Sequence, residues 1–219
     1  MKRVLVLTEG QTEESFVKKV LAPQLVGFEK WPEATCVCTR RERGRRAFRG
    51  GGNSYDKIKN DLRSLLGSNP AAVTTMLDYY ALPADFPGRD SLPPGGTCFD
   101  RVAHLEEAFA ADISDPRFVP NLVLHEFEGM LFTSPTAIAD VMLDTGGVRK
   151  LEAIAMQAPS PEEINDGPST HPSRRLKNIY AEAYQKPLHG IQIAERIGLP
   201  AIRAKCRHLD AWICRLEAL

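Results

Sequence analysis

The sequence predicts an α/β protein with a parallel sheet of about four strands flanked by helices, followed by a helical C-terminal extension. Short apolar runs alternate with segments of helical periodicity in the first part of the chain, and parallel strands need such crossover helices. From Ser134 onward the pattern is mostly helical, with breaks at Gly146-Gly147 and Gly167-Pro168. We therefore expect an α/β core over residues 1–133 and a helical extension over 134–219 packed on it.

The first part of the chain supplies three of the expected strands. Continuous apolar character predicts a buried strand at Arg3 to Leu7, and Glu9-Gly10 ends it. Thr12 is a suitable N-cap for the helix that follows, because its side-chain oxygen can accept from the first turn. The remaining elements of this part are a strand at 35–39, an amphipathic helix at 55–66 and a strand at 72–77.

The second part begins with a long loop at 79–98, rich in proline and glycine, of a kind that often carries function. A helix is expected at 99–111 and a fourth strand at 121–124. The tail from Ser173 is predicted to be mostly helical, with a short extended piece at Pro200 to Arg203.

Composition excludes several classes of protein. The 219 residues carry 28 basic and 28 acidic side chains, so the chain is not a polycation. No apolar run approaches the ~20 residues of a membrane span, and we expect no membrane association. Five cysteines at irregular positions favour reduced thiols in a cytoplasm. No Walker loop and no G-x-G-x-x-G follows the first strand, which argues against nucleotide hydrolysis or dinucleotide binding.

Charge is distributed unevenly along the chain. Residues 1–77 hold 14 basic and 8 acidic side chains, residues 78–166 hold 5 and 16, and residues 167–219 hold 9 and 4. An acidic middle between basic ends fits a metal centre with phosphate-binding walls. A solvated acidic surface would give the same pattern.

Carboxylates follow three of the predicted strands. Glu9 follows the first, Asp78 the third, and Glu126 and Glu128 the fourth. In an open α/β sheet the carboxyl ends of parallel strands share one edge, where ligands bind. Clustered carboxylates repel one another unless a cation neutralises them, and oxygen ligands suit Mg²⁺ or Mn²⁺. Taken singly, each residue could equally be a turn, a helix cap or a solvent-facing side chain.

The ordered set of motifs resembles a known family. The runs at 4–13, 75–80 and 124–131 are similar to the acidic motifs of Toprim nuclease domains of the overcoming-lysogenization-defect type. The whole chain, including the tail segments at 175–177 and 184–190, resembles an uncharacterised bacterial family of Toprim-like proteins. The resemblance implies a Toprim-like, Rossmannoid sheet.

The resemblance also implies roles for particular side chains. Glu9 would be a metal ligand or general acid/base, Asp78 the central metal ligand, and Glu126 and Glu128 ligands of the metal or its water. Lys186, in the tail motif, joins them as a catalytic candidate. One position departs from the family pattern: Tyr80 stands where a second aspartate is usual, and the next acidic residue is Asp85.

Basic residues beside these motifs are candidates for holding phosphates. The tail candidates are Arg174, Arg175, Lys177 and His189. The arginine-rich run from Arg40 to Arg49 could follow a nucleic-acid backbone, with Phe48 available to stack on a base. In both places a solvated basic surface is the competing interpretation.

The sequence therefore favours a Mg²⁺- or Mn²⁺-dependent nuclease with DNA or RNA as its partner. A non-catalytic member that keeps the fold to bind nucleic acid or a protein partner is the main alternative, and Tyr80 favours it. A phosphatase or phosphotransferase acting on a small substrate is the third. Family context adds a separate ATPase subunit, encoded beside this chain in a phage-defence locus, as an optional partner. The sequence does not indicate the oligomeric state.

Overall fold

The computed structural model describes residues 1–37, 54–144, 146–164 and 170–219. Its centre is a parallel sheet of five strands, which confirms the predicted α/β class. The strands are β1 (Lys2–Thr8), β2 (Lys30–Cys36), β3 (Ala72–Asp78), β4 (Phe118–Val119) and β5 (Leu122–Val123). Their order is β2-β1-β3-β4, and β5 pairs with β3 beyond the end of β4.

The fourth strand, predicted at 121–124, corresponds to β5 alone; the short strand β4, which was not predicted, precedes it, and Asn121 lies between the two. Its side-chain Nδ2 donates to the Thr75 carbonyl at 3.0 Å, and its backbone N–H donates to Thr75 Oγ1 at 3.1 Å. These bonds hold the chain against β3 where the regular ladder is interrupted. Pairing then resumes between Asp78 and Val123, at the carboxyl end of the sheet.

The predicted second strand at 35–39 was placed too late in the chain. The strand begins at Lys30, and positions 38 and 39 lie outside the described residues. The lysine, proline and glutamate of this segment interrupt the apolar pattern typical of a buried strand. They are tolerated because β2 is an edge strand.

Ten α-helices lie within the described ranges. In the first part they are α1 (Gln11–Phe16), α2 (Ala22–Val26), α3 (Tyr55–Gly67) and α4 (Cys98–Ile113), with a π-helical turn at Val17–Leu21 joining the first two. In the second part they are α5 (Pro135–Val141), α6 (Val148–Ala155), α7 (Pro172–Tyr180), α8 (Ile191–Ile197), α9 (Leu199–Lys205) and α10 (Arg207–Glu217). The prediction of an extended piece at Pro200 to Arg203 is wrong, because the segment lies in α9. Pro200 is tolerated there, since an N–H in the first helical turn has no partner within the helix to lose.

Alternate side chains of the central strands enter two different cores. Leu5 and Leu7 of β1 pack with the residues of α3 and α4 on one face of the sheet. Val4 and Val6 face the other side, in a core that includes α1 and the C-terminal helices. There Trp212 is fully buried and its Nε1 donates to Thr74 Oγ1 of β3 at 2.8 Å. The helical C-terminal region is thus packed directly on the sheet. None of the helices in the described ranges combines the length and apolar character needed to cross a membrane.

Candidate active site

Glu9 and Asp78 are neighbours at the carboxyl edge of the sheet. The backbone N–H of Glu9 donates to the Met76 carbonyl at 3.1 Å, extending the pairing of β1 with β3 by one residue. The Glu9 carboxylate then turns toward β3, where its Oε2 accepts from the Asp78 N–H at 3.0 Å. Two strand ends far apart in sequence are thus joined by one side chain.

The turn after β5 brings Glu128 to the same edge. Asp78 Oδ1 accepts from the backbone N–H of Phe127 at 3.1 Å, which fixes the start of a 3₁₀ turn at Phe127–Thr133. Glu128 is the second residue of that turn and its side chain is fully buried.

Lys186 lies among these carboxylates. Its Nζ is 3.1 Å from Glu128 Oε2, 3.4 Å from Glu13 Oε1 and 3.5 Å from Asp78 Oδ2. The residue begins a π-helical turn at Lys186–Gly190. That turn approaches α1 closely: a Cβ at Gly190 would lie 3.2 Å from Thr12 Cγ2. Glycine at this position therefore lets the tail come near enough for the ammonium group to reach the sheet edge.

One of the participating carboxylates, Glu13, is not among the candidates that the sequence motifs indicate. It lies in the first turn of α1 and is buried at 2% exposure. A Cβ on Gly10 would lie 3.3 Å from Glu13 Oε2, so a side chain at position 10 would crowd the Glu13 carboxylate. The signal in the sequence is its position one helical turn after Glu9, at the edge where the strands end.

We call Glu9, Glu13, Asp78, Glu128 and Lys186 the acidic centre. It contains four carboxylates and one ammonium group, and several of the carboxylate oxygens lack hydrogen bonds. Within the described residues, Glu13 Oε1 and both carboxylate oxygens of Glu128 have no well-directed hydrogen-bond donor, although Lys186 lies at ion-pair distance. Such buried, under-satisfied oxygens are costly and need a functional explanation.

Burial is the main influence on the protonation of these groups. Loss of water raises the pKa of Asp78 well above its usual value, and although Lys186 opposes this, Glu9 and Glu13 add to it. The pKa of Glu128 is raised for the same main reason. Much of Glu9 is exposed, yet its carboxylate is turned inward, and burial of that end raises its pKa while the Asp78 N–H opposes the shift. The pKa of Lys186 is raised well above 10.5: burial works against the charge, but Asp78 and Glu128 outweigh it.

Glu126 is directed away from the acidic centre, contrary to the expectation that it would be a metal ligand there. Its Oε2 accepts from the Ser173 N–H at 2.9 Å, and Oε1 lies 3.2 Å from the Nδ1 of His171. The Glu126 carboxylate therefore binds groups at the beginning of α7. Neighbouring glutamates separated by one residue point to different partners because Glu126 is still extended while Glu128 is already within the turn.

The predicted phosphate contacts in the tail are spread over several surfaces. Arg174 and Lys177 are exposed on α7. Arg175 donates to the Thr170 carbonyl and to Gln157, in a surface cleft that also includes Lys150. His189 accepts from the Gln185 N–H through Nδ1. The arginine-rich run at 40–49, with Phe48, lies outside the described residues.

Two tyrosines flank the acidic centre. Tyr184 is buried beside Glu128, its hydroxyl makes no well-directed hydrogen bond among the described residues, and burial together with the Glu128 charge raises its pKa. Tyr80, at the position where the second aspartate was expected, is 40% exposed. Asp85 does not replace that aspartate, because its Oδ1 accepts from the Tyr55 N–H at the start of α3.

The side chains of the acidic centre fit a divalent cation by their chemistry. Carboxylate oxygens are the ligands that Mg²⁺ and Mn²⁺ prefer. The Glu13 and Glu128 oxygens that lack a well-directed hydrogen bond both face the Lys186 ammonium group. Within the described part of the chain, no group of three or more His, Cys, Asp or Glu side chains is already arranged around a metal position. Binding of an ion among these carboxylates would require the Lys186 ammonium to move aside.

Comparisons with known proteins give a family but no function. No curated protein and no solved structure matched the chain. One family model, described as a domain of unknown function (DUF4276), matches residues 8–217, a range that includes the strands after β1, the whole acidic centre and nearly all of the helical tail. The chain therefore belongs to the DUF4276 family.

Proposed function

We propose that this protein is a Toprim-like nuclease that depends on Mg²⁺ or Mn²⁺ and cleaves phosphodiester bonds in DNA or RNA. The observation that carries the proposal is the convergence of Glu13, Asp78 and Glu128 on one ammonium group at the carboxyl edge of a parallel sheet. This edge is where α/β folds bind ligands. The under-satisfied buried oxygens give a second reason to expect a bound cation there.

The side chains of the acidic centre divide into two groups by exposure. Glu13, Asp78 and Glu128 are buried and suited to holding a cation in a fixed position. A divalent ion in such a site neutralises charge that develops on a scissile phosphate. Much of the Glu9 side chain is exposed, and the pKa of its inward-turned carboxylate is raised by burial, which suits a group that accepts or donates a proton.

Lys186 could also contact the substrate. Its side chain is one-third exposed, so the ammonium group can leave the carboxylates without passing through the core. Beside the centre it would donate to an oxygen of the substrate phosphate and stabilise negative charge there. In the metal-free protein it stays with the carboxylates and compensates their charge.

A nuclease assay tests the proposal. Plasmid, linear duplex and single-stranded DNA, together with a single-stranded RNA, are incubated with the protein in EDTA, Mg²⁺, Mn²⁺ and Ca²⁺. We expect cleavage of at least one substrate with Mg²⁺ or Mn²⁺, none in EDTA, and its loss in Glu9→Gln. Cleavage in EDTA, or equal cleavage by Glu9→Gln, would exclude the assignment. Glu152→Gln, an exposed substitution on α6, is the matched control.

A catalytically inactive member that binds nucleic acid or a protein partner is the second candidate. It is favoured by the position of Lys186, which already compensates the carboxylates, and by Tyr80 at the place of an expected ligand. This candidate predicts nucleic-acid or partner binding with no metal-dependent cleavage and no measurable affinity for Mn²⁺.

A further inference from the structure

Three aromatic rings lie together on the two segments that carry Asp78 and Glu128. The Tyr80 ring lies over that of His125, with centroids 5.2 Å apart and planes inclined by 31°. Tyr79 contacts both rings, with its centroid 5.8 Å from Tyr80 and 6.3 Å from His125. His125 is 7% exposed and Tyr80 is 40% exposed. The group is therefore a stack whose lower ring is buried and whose upper ring is open to solvent.

The stack is tied to the acidic centre by the backbone. Tyr79 and Tyr80 follow Asp78 directly, and the Tyr80 N–H donates to the His125 carbonyl at 3.4 Å. Two residues after His125, the Phe127 N–H donates to Asp78 Oδ1. The same short segments thus place both the rings and the carboxylates, so the distance between them is set by the fold.

The backbone of His125 is in a conformation that a side chain other than glycine rarely adopts. Its φ is +62°, in the left-handed region, which carries an energetic cost for a residue with a Cβ. Local strain of this kind concentrates at functional sites, where the surrounding structure enforces it. In this protein the strained residue is His125, whose ring lies against that of Tyr80.

Charges of both signs act on these rings, the carboxylate of Glu126 and the guanidinium of Arg101. Arg101, on α4, is near enough for its charge to act on both Tyr80 and His125. An aromatic face with a cation beside it is how proteins bind single-stranded nucleic acid: a base stacks on the ring and the cation accompanies the phosphate backbone.

We propose that Tyr80, supported by His125 and Tyr79, is a stacking platform for an unpaired nucleobase next to the bond that is cleaved. This inference rests on the proposed nuclease function and names its substrate class as single-stranded or frayed nucleic acid. Bases within an intact duplex are already stacked on both faces and cannot use the platform unless they are flipped out. The residue that departs from the Toprim pattern would thus serve substrate binding rather than metal binding.

The test is a binding measurement that involves no cleavage. Fluorescence anisotropy in EDTA follows a labelled 12-nucleotide thymidine strand and a labelled blunt hairpin of matched length. We expect the wild type to favour the single strand and Tyr80→Ala to weaken that binding by about 5- to 150-fold. Tyr80→Trp should retain it, and hairpin binding should change less than about twofold. Trp31→Ala is the control, because Trp31 is 52% exposed near the opposite end of the sheet.

Each result decides the inference separately from the proposed function. Equal single-strand binding by the wild type and Tyr80→Ala would overturn it, as would absence of single-strand binding or equal losses for both probes. Circular dichroism of Tyr80→Ala and the retained binding of Tyr80→Trp exclude misfolding as the cause of a loss. Cleavage of this strand and of the nuclease-assay substrates in Mn²⁺ is scored in parallel: a protein that binds through Tyr80 but cleaves none of them refutes the nuclease and leaves the platform.

Discussion

Lys186 Nζ lies 3.1 Å from Oε2 of Glu128, a fully buried carboxylate that has no well-directed hydrogen bond within the described residues. The pair joins the tail of the chain to the turn that follows the last strand. Its charge is incompletely balanced, because Glu13 and Asp78 share the same ammonium group. Both the stability of the metal-free protein and its proposed affinity for a cation follow from this imbalance.

Replacing Lys186 by methionine should destabilise the metal-free protein. The buried carboxylates would lose their counter-charge, and loss of one partner from a buried ion pair costs about 3–5 kcal/mol; the partial exposure of Lys186 reduces this to about 2–3 kcal/mol. Urea denaturation in EDTA measures the loss. Addition of Mn²⁺ should restore most of it, since the ion would take the place of the ammonium group.

The control for this experiment is Lys177→Met on the exposed surface of α7. It should change the free energy of unfolding by less than about 0.5 kcal/mol and show no dependence on Mn²⁺. A Lys186→Met protein as stable as the wild type in EDTA would show that the carboxylates do not need the ammonium group.

Glu13 and Glu126 should differ in their effect on cleavage, in the reverse of the order that the sequence motifs suggest. Glu13→Gln removes a charge within ion-pair distance of Lys186, and we expect metal-dependent cleavage to fall by about tenfold or more. Glu126→Gln should retain most activity, because its carboxylate binds Ser173 and His171 at the start of α7. Initial rates in Mn²⁺ compare the two variants. Equal losses would place both side chains at the reacting centre.

Asp78→Asn should leave the metal-free protein as stable as the wild type or more stable at pH 7. The pKa of Asp78 is raised by burial, so folding favours its neutral form. The corresponding stability is fully present below the ordinary pKa near 4 and is lost as the pH rises through the folded-state value. Asparagine keeps the acceptor for the Phe127 N–H and carries no charge. Thermal melts in EDTA should show the benefit at pH 7 and its disappearance near pH 4.

A second group of charges should give the protein a separate pH dependence. The imidazole Nε2 of His208, at the start of α10, lies 3.0 Å from Glu106 Oε1, and the backbone N–H of His208 donates to Glu162 Oε2 at 3.0 Å. Burial opposes the imidazolium charge, but Glu106 and Glu162 outweigh both burial and Arg215, so the pKa of His208 is raised above 6.5. The resulting stability is present in full below pH 6.5 and is lost as the pH rises through the folded-state pKa.

We therefore expect His208→Gln to be about 1–2 kcal/mol less stable than the wild type at pH 6, with a smaller difference at pH 9. Denaturant titrations at the two pH values test this. His104→Gln is the control, since the His104 ring contacts Ser91 and the Gly88 carbonyl. A difference for His208→Gln that stays constant across pH would mean that the imidazole is neutral throughout.

The central strands and the positions of Glu9 and Asp78 could be predicted because the evidence for them is local. A continuous apolar run identifies β1 and β3, and parallel strands bring their carboxyl ends to one edge. The edge strand β2 was misplaced because its polar residues and proline hide the usual pattern.

The pairing of charges could not be predicted, because it depends on side-chain direction. Glu126 and Glu128 are equivalent in the sequence pattern, and only the start of the 3₁₀ turn separates their directions. Glu13 resembles any acidic residue in a first helical turn. The partners of His208 lie on two distant segments, and no spacing in the sequence joins them.

Isothermal titration calorimetry with Mn²⁺ tests most directly whether the acidic centre holds a divalent cation. The titration compares the wild type with Asp78→Asn and with Asp140→Asn, an exposed carboxylate paired with Arg196. We expect binding by the wild type and Asp140→Asn, and a loss of about tenfold or more in affinity for Asp78→Asn. No binding by the wild type, or unchanged affinity in Asp78→Asn, would contradict this expectation.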